Sequence, residues 1–302
     1  MHCQQIFCRI NEKVLDLTIA IPTKNEELNI KACLSAIGKN FAEKVVIIDS
    51  NSSDKTRVIA EGFGAEVVIF NWNGRYPKKR NWYLENHTPS TKWVLFLDAD
   101  EIISGKFKEE LISLLPTTKH DAFEIVYTRY FLGSKLHGGY PLRKTALFKV
   151  GNIRYEYVNE KNWSKCDMEV HEHPQVCGSV GFIKNEIDHR DERGIESYMN
   201  KHNEYAAWEA NRIYEALNNK NKLKNRSIKL KIKYNILTSH LSGLIFLFGS
   251  YIFMGGWRDG KKGVAFAVLK AGYFTQIYCR LKELELQGKE LDIENKRESA
   301  AQ

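Results

Sequence analysis

The sequence predicts a doubly wound α/β domain followed by a helical, partly apolar C-terminal region. Three observations carry that expectation. The runs Leu17 to Ile21, Val45 to Ile48, Ala65 to Phe70 and Trp93 to Leu97 are almost wholly apolar, as strands covered on both faces are. Segments with helical spacing separate them, the pattern of a parallel sheet. Polar residues gather where the strands end, and open α/β sheets bind ligands outside the carboxyl ends of their strands.

Taken in order, Leu17 to Ile21 reads as a buried strand stopped by Pro22 and followed by the turn Thr23-Lys24-Asn25-Glu26. Leu28, Ile30, Leu34 and Ile37 then recur at helical spacing, with Glu26 and Glu27 at the favourable end of the dipole. Val45 to Asp49 is the second strand, Ser50 to Asp54 a polar loop, and Thr56 to Gly62 a short helix. Ala65 to Phe70 supplies the third strand, about Lys78 to Glu85 a helix, and Trp93 to Leu97 the fourth strand, ending in Asp98-Ala99-Asp100. From about His120 the texture predicts shorter, mixed strands, and Tyr198 to Leu217 a helix. The expected organisation is a lead-in over 1–14, a ligand-binding half over 15–115, a second half over 116–217 and a C-terminal region over 218–302.

Composition sets wide bounds. A chain of 302 residues with 43% hydrophobic and 27% charged residues has ample material for a core and is neither disordered nor polytopic in character. The net charge of +8 points to an acidic partner: nucleic acid, anionic lipid or a phosphorylated substrate. Six cysteines without a CxxC pair give no zinc knuckle and no disulfide framework, which fits a reducing cytosol. Met1 to Ile10, broken by Gln4, Gln5 and Arg9, does not read as a secretory signal.

Asp98 and Asp100 are hard oxygen donors at a strand end and suit Mg²⁺ or Mn²⁺. The bland alternative is a cap for a helix beginning near Ser104. What favours a site is the company: Thr23 to Glu26 and Asp49 to Asp54 occupy two further strand ends of the same sheet.

Taken together, the strand followed by Pro and an Asn-Glu turn, the strand ending in Asp-Ser-Asn-Ser-Ser-Asp, and the Asp-Ala-Asp resemble the family 2 glycosyltransferases. Lys78 to Trp82, Val170-His171-Glu172, His189-Arg190 and His202 to Tyr205 are similar to the lipopolysaccharide inner-core β-glucosyltransferases that act on heptose. The resemblance implies a GT-A (Rossmann-like) fold, a UDP-sugar donor and inversion at the anomeric carbon. It implies donor contacts from Pro22, Thr23, Asn25, Glu26, Asp49, Ser52, Lys79, Arg80, Asp98 and Ala99, with metal ligands among Asp98, Asp100 and His171. Lys79 and Arg80 read equally as a solvated helix face. Direct displacement needs a general base. With no Glu-Asp pair between Asp100 and Asp191, the base expected is Glu172, held between His171 and His173, and a solvent-exposed hairpin is the alternative there. The implied acceptor is a lipopolysaccharide core or related glycolipid. Polyprenyl phosphate, a polypeptide, and a binding protein without catalysis are the competing readings.

From Lys220 to Lys233, seven of fourteen residues are Lys or Arg, while Tyr234 to Trp257 carries no charged side chain. A basic cluster beside an apolar segment suits an anionic membrane surface, and no nucleic-acid-binding motif accompanies it. Polar residues and four glycines dilute the segment, so the expectation is an in-plane or partly inserted helix, with the enzyme peripheral on the inner face of the plasma membrane. The alternative is a core helix packed on Val264 to Leu281.

Overall fold

In the computed structural model, which describes residues 14–158, 166–169, 172–218 and 228–300, the chain divides into two compact units. The first comprises the chain up to Thr128 with Leu142–Tyr157 and Asp167–Glu192; the second comprises Arg129–Pro141, Val158–Cys166 and Arg193–Gln302.

The first unit opens with β1 (Leu15–Thr23), α1 (Ile30–Ile37), β2 (Ala42–Asp49), α2 (Thr56–Gly62), β3 (Glu66–Ile69), α3 (Lys79–Asn86) and β4 (Trp93–Phe96). The short β5 (Glu101–Ile102) and α4 (Gly105–Leu114) follow, and then β6 (Ala122–Phe131). A two-residue β7 (Ser134–Lys135) pairs with the end of β6 in the second unit. Then come β8 (Leu142–Lys149), β9 (Ile153–Tyr155), β10 (Pro174–Val176) and β11 (Val180–His189). The sheet order is β3-β2-β1-β4-β8-β6-β11-β5; the first four strands are parallel, and β8 joins them antiparallel. Residues beyond 115 therefore complete the sheet that residues 15–115 begin.

Alternate residues of these strands enter two separate cores, as the twofold side-chain period requires. Leu17, Ile19, Ile21, Ile47 and Leu95 pack against Ile30, Leu34 and Ile37 of α1 and Phe107 and Leu111 of α4. Ala20, Val46, Ile48, Val94 and Phe96 pack on the other face with Tyr83 of α3. The expected doubly covered sheet is thus what forms. Two local expectations change. Pro22 does not stop β1: it pairs in register with Ile48, and β4 pairs β1 only as far as Ala20, so no neighbour on that side needs its missing N–H. Leu28 lies outside α1 and is exposed.

The second unit contains α5 (Gly194–Asn218), α6 (Ile228–Leu237), α7 (Ser242–Phe248), a π turn over Gly249–Phe253, a 3₁₀ turn over Gly256–Asp259 and α8 (Gly260–Ala300). Ala206, Ala210 and Ile213 of α5 pack with Tyr234 and Leu237 of α6 and with Tyr273, Ile277 and Leu281 of α8. The stretch expected as one apolar helix is therefore broken. Its pieces Lys231–Leu237 and Ser242–Phe253 meet at 110°, and among the described residues no single helix is long and apolar enough to cross a membrane.

Candidate functional site

Two loops at the carboxyl ends of β1 and β2 interlock through hydrogen bonds that their own sequence supplies. Asp49 is fully buried; it accepts from the Thr23 hydroxyl at 2.9 Å, the Ser52 hydroxyl at 2.5 Å and the Ser52 N–H at 2.8 Å. The Asn25 N–H donates to Ser52 Oγ at 2.8 Å, the Asn25 amide oxygen accepts from Ser53 N–H at 2.9 Å, and the Glu26 N–H donates to Thr56 Oγ1 at 2.8 Å. Asn25 and Asn51 both take left-handed backbone angles, with φ of 55° and 53°, which asparagine tolerates better than most residues. The network leaves Lys24, Asn25, Asn51 and Ser53 exposed on the rim.

Helix α3 is anchored by its first turn. Glu169, from a distant part of the chain, accepts from the backbone N–H groups of Arg80 at 2.9 Å and Asn81 at 3.0 Å, satisfying donors that a helix start leaves open. The Lys79 ammonium donates to the Thr23 carbonyl at 2.9 Å and faces Asp167 at 3.3 Å, tying α3 to the end of β1. Lys78 donates to Glu172 at 2.7 Å, with both side chains buried.

Arg80 carries this anchor to the Asp-Ala-Asp turn. Its guanidinium reaches Asp98 Oδ1 at 2.8 Å and the Glu169 carbonyl at 2.6 Å, over the rings of Phe96 and Tyr155. The second Asp98 oxygen takes Lys144 at 2.8 Å, and Lys144 also donates to Glu101 at 2.6 Å. Strand register explains Lys144: Leu95 of β4 faces Leu147 of β8, so continuing the antiparallel pairing sets residue 144 opposite residue 98. Burial opposes ionisation of Asp98, but the ammonium of Lys144 and the guanidinium of Arg80 hold it far below the usual carboxylate range. Burial pushes the neighbouring Glu101 carboxyl up to about 7 against the pull of Lys144. Asp100 meets a different partner. In the β11–β5 pairing His189 faces Glu101, which brings His189 Nε2 to 3.4 Å from Asp100 Oδ1. Burial works against a charged His189, yet Asp100 raises its pKa above the ordinary imidazole value.

Comparison with known proteins places this arrangement. The family model for glycosyl transferase family 2 matches residues 18–171, half of the chain, from within β1 to just before Glu172. The chain belongs to glycosyl transferase family 2. Within it, an uncharacterized glycosyltransferase of Rickettsia prowazekii is 25% identical over 235 residues, covering 76% of this chain and 77% of the relative. One from Rickettsia bellii is 34% identical over 103 residues, and the match spans 34% of each chain. The match to one from Rickettsia typhi spans 65% of that relative's length. Among solved structures, glucosyl-3-phosphoglycerate synthase from Mycobacterium tuberculosis, in complex with Mn²⁺, UDP and glucosyl-3-phosphoglycerate, aligns with a TM-score of 0.30 at 23% identity, over 39% of this chain and 44% of that one. Family membership and the sheet order agree on a GT-A fold with a helical C-terminal extension.

The geometry revises several expectations drawn from the family 2 resemblance. Each oxygen of Asp98 faces a cation, Arg80 at Oδ1 and Lys144 at Oδ2. Lys79 and Arg80 do not form a solvated helix face, since both are buried and held by carbonyls and carboxylates. Glu172 has Lys78, not His173, as its described partner, while His171 lies outside the described residues. The solvent-exposed hairpin expected there does not form around Glu172, which is buried; β10 follows it and pairs antiparallel with the earlier β9. Pro22, Thr23, Asp49, Ser52 and Ala99 are buried under the rim, whereas Asn25 and Glu26 lie at its surface. Among the described residues no group of three or more His, Cys, Asp or Glu side chains is arranged for a metal. Asp100 and His189 lie 3.4 Å apart as a carboxylate and an imidazole. The resemblance gave His189 no role, and Lys144, Glu101, Asp167 and Glu169 had no signal in the local sequence pattern.

Proposed function

We propose that this chain is an inverting, cation-assisted glycosyltransferase that moves a hexose, glucose, from a UDP-sugar to a glycolipid acceptor of the lipopolysaccharide-core kind. The observation that carries the reading is the convergence, at one sheet edge, of the Thr23–Asp49–Ser52 network with the Asp100–His189 pair. The rim residues Lys24, Asn25, Asn51 and Ser53 are the groups offered to the nucleoside. Asp100 and His189 would hold Mg²⁺ or Mn²⁺, which when bound supplies positive charge against the diphosphate leaving group.

The chain's own residues do the rest. Arg80 and Lys144 fix Asp98, so the turn that presents Asp100 cannot drift. Glu169 and Lys79 fix the start of α3 against β1. Glu172 is assigned the proton of the acceptor hydroxyl, and Lys78 balances its charge and orients it. The acceptor assignment rests on the resemblance of Lys78 to Trp82, His189-Arg190 and His202 to Tyr205 to the heptose-directed enzymes.

The test pairs two readouts. Glu172→Gln is expected to lower transfer by about 10²–10⁴-fold, the usual range for losing a general base, with UDP affinity unchanged. Substantial turnover by Glu172→Gln would remove it from that role, and a parallel loss of UDP binding would make it a structural residue.

A further inference from the structure

The second unit carries an amphipathic element whose two faces have different neighbours. On its inner face α7 lies close against α8. Ser242 and Gly243 are buried, and a Cβ added at Gly243 would stand 2.2 Å from Thr275 Oγ1 and 2.9 Å from the Ala271 carbonyl. The Ser242 hydroxyl donates to the Phe274 carbonyl at 3.3 Å, and the ring of Phe246 stacks on that of Phe274. The outer face is apolar and open. Leu241, Leu244, Ile245, Phe248 and Ile252 follow one helical stripe and are all exposed, and Phe253 and Trp257, at 85% and 59%, continue it.

Cations flank the stripe. Lys231 and Lys233 precede it, the latter ion-paired with Glu209 at 2.6 Å, Arg258 and Lys261 follow it, and all four are exposed. From residue 234 to 264 the sequence contains one acid, Asp259. Its carboxylate is turned inward, accepting from the N–H groups of His137 at 2.8 Å and Gly138 at 2.9 Å. An exposed apolar stripe rimmed by cations matches the headgroup region of an anionic bilayer, where acyl chains take the stripe and lipid phosphates take the rim.

We infer that the α7 stripe, from Leu241 to Trp257, seats this protein in the plane of an anionic lipid surface. The element does not span. α7 and the π turn together rise only about 18 Å, short of the roughly 30 Å hydrocarbon core, and α8 covers their inner side. A second copy fits less well, because both ends of the stripe are cationic and a twofold interface through it would set Arg258 and Lys261 near cations of the partner, either the same residues or Lys231 and Lys233.

The test uses the full chain in flotation with vesicles of phosphatidylcholine, with and without phosphatidylglycerol, so its readout is independent of transfer activity. The wild type should float with the phosphatidylglycerol vesicles at low salt and lose binding as salt rises. Leu244→Ser/Phe248→Ser/Phe253→Ser, with unchanged circular dichroism and melting, should weaken partitioning by at least about tenfold. Arg258→Glu/Lys261→Glu should lose the preference for the anionic vesicles. Failure of the wild type to float, or wild-type flotation by the triple serine variant, overturns the inference. So does a dimer in light scattering that the serine variant dissolves while vesicles bind neither form, which would assign the stripe to a second copy.

Discussion

Replacing Arg80 with Met should lower the unfolding free energy by about 3–5 kcal/mol, the range for stripping one partner from a buried ion pair. The residue is only 9% exposed, and three things go with its side chain: the cation at Asp98, the donor to the Glu169 carbonyl and the guanidinium over Phe96 and Tyr155. Asp98 then keeps Lys144 alone, with Glu101 bound to the same ammonium. Arg80→Lys should recover little, because one ammonium cannot reach both Asp98 and the Glu169 carbonyl in the fixed fork of a guanidinium. Denaturant titration of the three proteins checks the ordering. Equal midpoints for wild type and Arg80→Met would show that the ion cluster does not hold the Asp-Ala-Asp turn.

The second large effect is expected at the cation pair. Asp100→Asn and His189→Ala should each abolish the gain in UDP affinity that Mn²⁺ brings, while UDP binding without the cation stays as in the wild type. Loss of outer partners of a metal ligand typically costs 10–100-fold, so loss of one of two protein ligands is expected to cost at least about 100-fold in cation affinity. Asp98→Asn should behave differently, because its oxygens face Arg80 and Lys144: melting temperature falls first, and cation dependence survives in the folded fraction. Titration calorimetry of UDP with and without Mn²⁺ separates these cases. Loss of the cation effect in Asp98→Asn alone, with Asp100→Asn unaffected, would return the ligand role to Asp98.

What the sequence made legible was local. Apolar runs such as Trp93 to Leu97 and the spacing of Ile30, Leu34 and Ile37 report burial directly, and the two cores use those residues. The polar loops were also visible, because Thr23, Asp49 and Ser52 stand at strand ends. Their roles were less so: Asp49 and Ser52 bond to each other and to Thr23, shaping the rim from below. Helix α3 misled for a physical reason. Its buried residues are Lys79, Arg80, Asn81 and Tyr83, so the alternative that made its cations a solvated face, which equates burial with apolar periodicity, fails there. Lys144 and Glu169 were out of reach, and His189, though singled out with Arg190, had no partner to name, because strand register and chain return, not nearby sequence, bring them to Asp98, α3 and Asp100.

The central claim is that the β1–β2 rim and the Asp100–His189 pair form a UDP-sugar site. The most direct measurement is UDP release from UDP-glucose by the full chain, after EDTA treatment and after restoring Mn²⁺. The account predicts slow release that EDTA abolishes, that Mn²⁺ restores, and that Asp100→Asn does not recover. Release that is indifferent to EDTA and to Asp100→Asn, or no binding of any uridine nucleotide with the cation present, would contradict it.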